Sequence, residues 1–296
     1  MEGINVMLIK KIKSFVKCVL LSFNKRNQIN DIFINSEIDR IKKNERNKDS
    51  KRLIQYGYKI YFQNDEDGII REIFSRIGVK NKFFVEFGIG DGLENNTLAL
   101  LFEGWSGLWI EGSKKSVDKI TKKMARTIQS GKLTVINEFI TKDNIDNLIS
   151  GNVNTKNEID LLSVDIDGND YHVFKAIKSI IPRVIVMEYN AKFGPYTEYC
   201  MDYDEAHQWK GDDCFGASLK FLEKNIDNYC LVGCNITGTN AFFVRKDLVQ
   251  NYFLEPFTSE NHYEPARYYL CGFPSGHPAT YETIEKSLTM HCLEVK

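Results

Sequence analysis

Residues 83–92 read Phe83-Phe84-Val85-Glu86-Phe87-Gly88-Ile89-Gly90-Asp91-Gly92, a short apolar, β-prone run that empties into glycines. Such a run fits a strand buried on both faces of a parallel sheet. Working outward, the same rhythm repeats. A helix is predicted from Leu93 to Glu103, closed by Gly104. Leu108 to Glu111 reads as a second strand, followed by a helix from Ser113 to Ser130 that Gly131 stops. Leu133 to Ile136 makes a third strand, with Thr141 placed to cap the next short helix. Ile159 to Asp165 is a fourth strand, Tyr171 to Ile180 a helix, and Pro182 precedes a fifth strand over Val184 to Glu188. Strands alternating with helices in this way predict a mainly parallel, doubly wound α/β sheet. Tyr229 to Cys234 and Ala241 to Arg245 are also strand-like, yet the residues between them are too few for a parallel crossover of about a dozen residues. They predict an antiparallel hairpin at the sheet edge.

A core of this kind accounts for residues 51–250 of the 296, leaving a basic N-terminal extension and connector over 1–50 and a C-terminal extension over 251–296 that packs on the core. Lys and Arg together number 39 against 40 Asp and Glu, so no global charge favours nucleic acid. The seven cysteines form no C-x-x-C pair and read as reduced thiols of a cytoplasmic protein. Over residues 1–26, Leu8, Ile12, Phe15, Val19 and Phe23 recur at helical spacing, with lysines largely on the other face. The lysines rule out a membrane span, which needs about 20 apolar residues. Two readings stay open: a helix docked on this protein or a second copy, and peripheral contact with the inner face of a membrane.

Ligands of open α/β sheets sit beyond the carboxyl ends of the strands, so the glycine turn is the first candidate site. Its chemistry separates the possible ligands. The dinucleotide fingerprint G-x-G-x-x-G needs glycine where this chain has Leu93, and no G-K-[ST] follows for a nucleotide P-loop. Glu86, Asp91 and Glu94 would have to face a pyrophosphate, and like charge held partly out of water opposes a dianion. The same acids welcome a cation, and S-adenosylmethionine carries a sulfonium and an ammonium that suit a close glycine backbone at Gly88 and Gly90. Glu111, ending the second strand, lies where an acid accepts hydrogen bonds from a ribose diol. Asn137 and Glu138 follow the third strand, in reach of an adenine amine.

The densest polar group is Asp165-Ile166-Asp167-Gly168-Asn169-Asp170-Tyr171-His172, and the fifth strand delivers Glu188-Tyr189-Asn190 beside it. It is not an EF-hand, because Asp170 stands where that loop needs glycine and Ala176 where it needs glutamate. The carboxylates can orient a cofactor amine, include a general base, or hold a divalent metal through Asp165, Asp167 and Glu188. Asp165, Asp170, His172 and Glu188 are the candidate proton acceptors. Lys192, His207, Trp209 and Lys210 fall in the long segment 189–214, the natural lid or acceptor wall. Cys200, His207 and Cys214 match no zinc spacing.

Taken in order, Val85 to Gly92, Trp109-Ile110-Glu111-Gly112, Asp165 to Asp170 and Glu188-Tyr189-Asn190 resemble the FkbM-like group of class I S-adenosylmethionine-dependent methyltransferases. The likeness runs from about Tyr56 to Lys246. It implies a Rossmann-like sheet ending in the antiparallel hairpin, with Glu86, Gly88 and Gly90 around the methionine part, Glu111 on the ribose and Asp165 near the transferred methyl. Asp167-Gly168-Asn169-Asp170 departs from the more usual acidic-glycine-glutamate run, which leaves the base open among the four acceptors above. The resemblance implies O-methylation of a sugar, a polysaccharide precursor or another small polar acceptor, and the balanced charge argues for no nucleic-acid partner. The alternative is a non-catalytic binding module of the same fold, tethered to a membrane or partner by its N-terminal helix.

Overall fold

The structure is a computed structural model, described here for residues 32–59, 64–93, 95–153 and 158–271. The amphipathic stretch 1–26, Glu94 and the chain beyond Cys271 lie outside these residues. The chain divides into two compact units, 1–45 and 46–296. In the first, residues 32–42 are helical, with an Arg40–Glu37 ion pair at 2.6 Å. Among the described residues no helix is long and apolar enough to cross a membrane.

The second unit is built on one seven-stranded sheet of order β3-β2-β1-β4-β5-β7-β6. The strands are β1 Phe83–Phe87, β2 Ser106–Glu111, β3 Leu133–Asn137, β4 Glu158–Val164, β5 Ile181–Glu188, β6 Tyr229–Cys234 and β7 Asn240–Arg245. β1 to β5 are parallel, while β7 runs antiparallel to both β5 and β6. The expected hairpin is therefore present, with its second strand inserted between β5 and the edge strand. Alternate residues feed two cores. Val85, Phe87, Leu108, Ile110, Leu162 and Val164 face one side, packed with Ile145, Val173, Leu219 and Leu222 from the helices Ile145–Ser150, Asp170–Ala176 and Leu219–Asn225. Phe84, Trp109, Leu161 and Val184 face the other, against Ile69, Ile73, Leu98 and Ile120 from Glu66–Ile77, Leu98–Phe102 and Lys114–Lys123. Burial on both faces is why these strands read as nearly continuous apolar runs.

Three expected helices change, and two of the changes have visible causes. The helix expected from Leu93 shrinks to Leu98–Phe102, because Asn95, Asn96 and Thr97 turn inward to satisfy the buried Glu86. The helix expected to Ile180 stops at Ala176, and the amides of Lys178 and Ser179 both donate to Asp146 Oδ1 at 2.7 Å. The stretch 113–130 is two helices, Lys114–Lys123 and Ala125–Gln129, that part at Met124, whose backbone leaves the helical region. Pro182 lies inside β5 rather than before it, below the point where β7 pairing starts at Val184. Thr141 Oγ1 does cap the next turn, accepting from the Asn144 amide at 3.3 Å. The described part of the C-terminal extension packs on the β6–β7 turn, where the Arg267 amide donates to the Thr237 carbonyl.

The chain winds from β1 outward to β3, then returns to β4 on the other side of β1. The carboxyl ends of β1 and β4 thus flank the crevice in which open sheets hold ligands.

Candidate active site

The pairing of Phe87 with Val164 brings Gly88 against Asp165. A Cβ at Gly88 would lie 1.4 Å from the Asp165 carbonyl oxygen, and its φ is +76°, so both space and backbone require glycine there. Gly90, at φ +55°, has open space where a side chain would stand. Its amide donates to Glu111 Oε2 at 2.8 Å, and the Ser113 amide donates to Oε1 at 2.8 Å. The Glu111 carboxylate is thereby aimed at the glycine turn from the end of β2.

Glu86 is buried and receives bonds from the side chains of Asn95 (2.7 Å), Thr97 (2.5 Å) and Ser163 (3.2 Å) and from the amides of Asn96 (2.8 Å) and Thr97 (3.2 Å). Burial raises its pKa and these donors oppose the rise. Its carboxylate organises the loop that follows the glycines. Asp91 is turned outward into an ion pair with Lys119 at 2.6 Å, a bond that holds its carboxyl below the ordinary range. Asn137 donates its side-chain amide to the carbonyls of Glu111 (2.9 Å) and Gly112 (3.1 Å), fixing the β2 exit.

Two cavities meet at this turn, sharing Gly88, Gly90 and Asp165. The first, of about 570 Å³, is lined by Glu111, Phe139 and Ile140 at the exits of β2 and β3 and by His207, Gln208 and Trp209. The second, of about 550 Å³, opens toward Asn64, Glu86, Asp91, Asn95 and Thr239. Both volumes fall within the ~300–1,000 Å³ of small-molecule sites.

Asp165 stands at the junction, half-buried and without a side-chain hydrogen bond among the described residues. Burial, then the charges of Asp170, Asp167 and Glu86, push its pKa well above the ordinary carboxylate range. Glu188, at the end of β5, is raised for the same reasons, burial first and then Asp165, Asp170 and Asp167, with Lys192 opposing. Asp165, Asp167 and Glu188 each offer an oxygen, all within 4.8 Å of one another. Among the described residues this is the one group of carboxylate, His or Cys ligands so placed; Cys200, His207 and Cys214 form none.

The other two acceptor candidates sit differently. Asp170 is buried and accepts the amides of Ile166 and Gly168 at 2.8 Å each, which shapes the acidic loop at the start of its helix. His172 donates from Nε2 to the Met201 carbonyl at 2.8 Å and lines neither cavity. Asn64, Asn95, Phe139, Ile140, Gln208 and Thr239 line the cavities without having been singled out in the sequence. Of these, Asn95 carried a signal, an Asn-Asn-Thr run directly after a glycine turn. Asn64 and Thr239 carried none, since only the sheet order brings the start of one helix and the β6–β7 turn to the same crevice.

Residues 87–214 match the family model described as the methyltransferase FkbM domain. That stretch begins at the last residue of β1 and holds every sequence candidate except Glu86. No curated protein matches the chain. Among solved structures, the chain is similar to a protein described as a caffeoyl-CoA O-methyltransferase from Staphylococcus aureus, with 14% identity, TM-score 0.41, and 60% of this chain and 81% of that one covered. An S-adenosylhomocysteine-bound methyltransferase from Podospora anserina aligns at 18% identity and TM-score 0.41, over 60% of this chain and 77% of that one. An S-adenosylmethionine-dependent methyltransferase from Clostridium acetobutylicum aligns at 13% and 0.35, over 60% and 89%. The domain match and the strand order support an S-adenosylmethionine-dependent methyltransferase of class I fold.

Proposed function

We propose that this FkbM-like chain transfers a methyl group from S-adenosylmethionine to a hydroxyl of a small polar acceptor, a sugar or glycoconjugate, and that Asp165 takes the hydroxyl proton. The observation that carries this is the Asp165 carboxylate itself. It is raised in pKa, without a side-chain hydrogen bond among the described residues, and shared by two cavities that meet at a glycine turn.

The residues present fit the cofactor. Glu111 offers a carboxylate to a ribose diol, Gly88 and Gly90 leave the backbone open, and among the described residues acids rather than lysines or arginines line both cavities. When bound, S-adenosylmethionine supplies an electrophilic methyl on a sulfonium. The first cavity would hold its adenosine part, and the second would take its methionine end at Glu86 and the glycines, with the acceptor beside it. Asn64, Asn95 and Thr239 give that second cavity neutral hydrogen-bonding groups, and among the described residues no lysine or arginine lines it to attract a phosphate. These features support an uncharged, hydroxyl-bearing acceptor. Asp165, with its raised pKa, accepts the proton as the acceptor oxygen becomes a nucleophile. Asp170, Asp167 and Glu86 keep that pKa high, and Asp167 and Glu188 are the residues that would join Asp165 in holding a divalent cation. The walls align the reactants and exclude water.

Isothermal titration with S-adenosylhomocysteine, beside NADH and repeated with Glu111→Ala, tests the reading. Micromolar binding of the first, weakened in the variant, supports it. Binding of NADH instead, or of neither, overturns it, and binding of neither returns the chain to a non-catalytic module.

A further inference from the structure

Residues 207–209 approach the first cavity from a part of the chain far beyond the strand exits that form the rest of it. Their position is built, and several bonds hold it. His207 Nε2 donates to the Asp167 carbonyl at 2.9 Å. Asn169 exchanges bonds with Asp204, its side-chain amide donating to the carbonyl at 2.7 Å and its oxygen accepting the amide at 3.4 Å. Gly168 leaves room for the histidine: a Cβ there would lie 2.5 Å from His207 Nε2. The Trp209 ring is fixed in turn, with Nε1 donating to the Asp212 carbonyl at 2.8 Å and its edge meeting Phe215 at 6.0 Å between centroids.

An indole so held would normally be covered, yet Trp209 is 47% exposed, and Phe139, lining the same cavity, is 49% exposed. Two large exposed aromatics line one cavity together with Ile110, Ile140 and Ile166, and make it an apolar slot that the polar Glu111 also lines. A ribose held by Glu111 would carry its base into that slot. Flat aromatic faces are the groups that bind a base with little regard to its hydrogen-bonding edge.

We propose that residues 207–209 form the outer wall of the cofactor site, with the Trp209 indole stacked on the adenine and His207 latching that wall to the acidic loop. The inference rests on the cofactor reading above. Trp209 is then a binding residue, and His207 a positioning residue that acts through it.

The test uses the full chain, with S-adenosylhomocysteine and 5′-methylthioadenosine as probes, the second lacking the amino-acid end. Trp209→Ala should weaken both to a similar degree, roughly ten- to hundred-fold, and Trp209→Phe should recover most of the loss. His207→Ala should weaken binding in the native background but add little once Trp209 is already Ala, since the two act through one contact. Fluorescence gives a second readout. The other tryptophans, Trp105 and Trp109, are 2% and 0% exposed, so the ligand-induced change should vanish in Trp209→Phe. If the wild-type protein binds S-adenosylhomocysteine and Trp209→Ala binds it equally well, or if the His207 and Trp209 effects simply add, the proposed wall is wrong while the cofactor reading survives. If the wild-type protein binds neither probe, both fall.

Discussion

β4 carries an aspartate near its start and is followed by another just past its end, and the two live in opposite surroundings. Asp160 is fully buried, and its oxygens accept the amides of Lys80, Asn81 and Lys82 and a guanidinium nitrogen of Arg183 at 3.2 Å. Asp165 is half-buried, beside other carboxylates, and the described residues give its side chain no donor. The first ties the loop before β1 to β4 and β5. The second is left with unmet hydrogen-bonding capacity at a cavity, which is what binding and proton transfer need. Satisfaction of the carboxylate, more than its burial, separates a structural acid from a chemical one.

The largest effect that would sharpen this contrast is on turnover. Asp165→Asn should lower kcat by about two to four orders of magnitude while leaving S-adenosylhomocysteine bound; an assay showing normal kcat would remove the proposed base. Asp160→Ala should do the reverse in kind, costing about 3–5 kcal/mol of stability because it removes the nearer partner of the buried Arg183 guanidinium and the acceptor of three backbone amides. Denaturant unfolding measures that cost, and a loss below 1 kcal/mol would break the comparison. Glu111→Ala should come next, weakening cofactor binding by about 1.5–3 kcal/mol through the lost charged hydrogen bonds, as read by titration calorimetry.

pH provides a finer test. Asp165 and Glu188 have raised pKa values in the folded state, so they keep protons that the unfolded chain has already lost. Their contribution to stability is complete below the unfolded carboxylate range and is lost as pH rises through the raised values. Asp165→Asn should therefore raise the neutral-pH unfolding midpoint and flatten its decline with pH. The rate profile should show an ascending limb above the ordinary carboxylate range. Because the Asp167 charge helps lift Asp165, Asp167→Asn should move that limb to lower pH, and an unmoved limb would assign it to another group. Chelation is the smallest perturbation: unchanged activity with EDTA would leave the three oxygens of Asp165, Asp167 and Glu188 as a proton-handling set alone.

The strands were legible because burial on both faces leaves few polar residues in them, and β1 and β6 match the sequence reading end to end. The glycine turn was legible too, since three glycines after a strand restrict what can follow. Helix ends were less so, because Glu86 and Asp146 recruit backbone amides from segments that would otherwise have stayed helical. Within the site, Asp165 and Asp170 look alike as letters. Only the loop geometry commits Asp170 to the amides of Ile166 and Gly168.

The two glycines of the turn differ in a way that matters to anyone wishing to change what the site accepts. Position 88 is closed to every side chain, because the strand-exit backbones already touch there. Position 90 is held only by its backbone angle, with empty space outward from it. A residue that tolerates the left-handed region, such as asparagine, can be introduced at 90 at the cost of modest strain, placing a new polar group between the two cavities. Engineered selectivity has its entry point at the second glycine of this turn, while the first acts as a fixed hinge pin for both halves of the crevice.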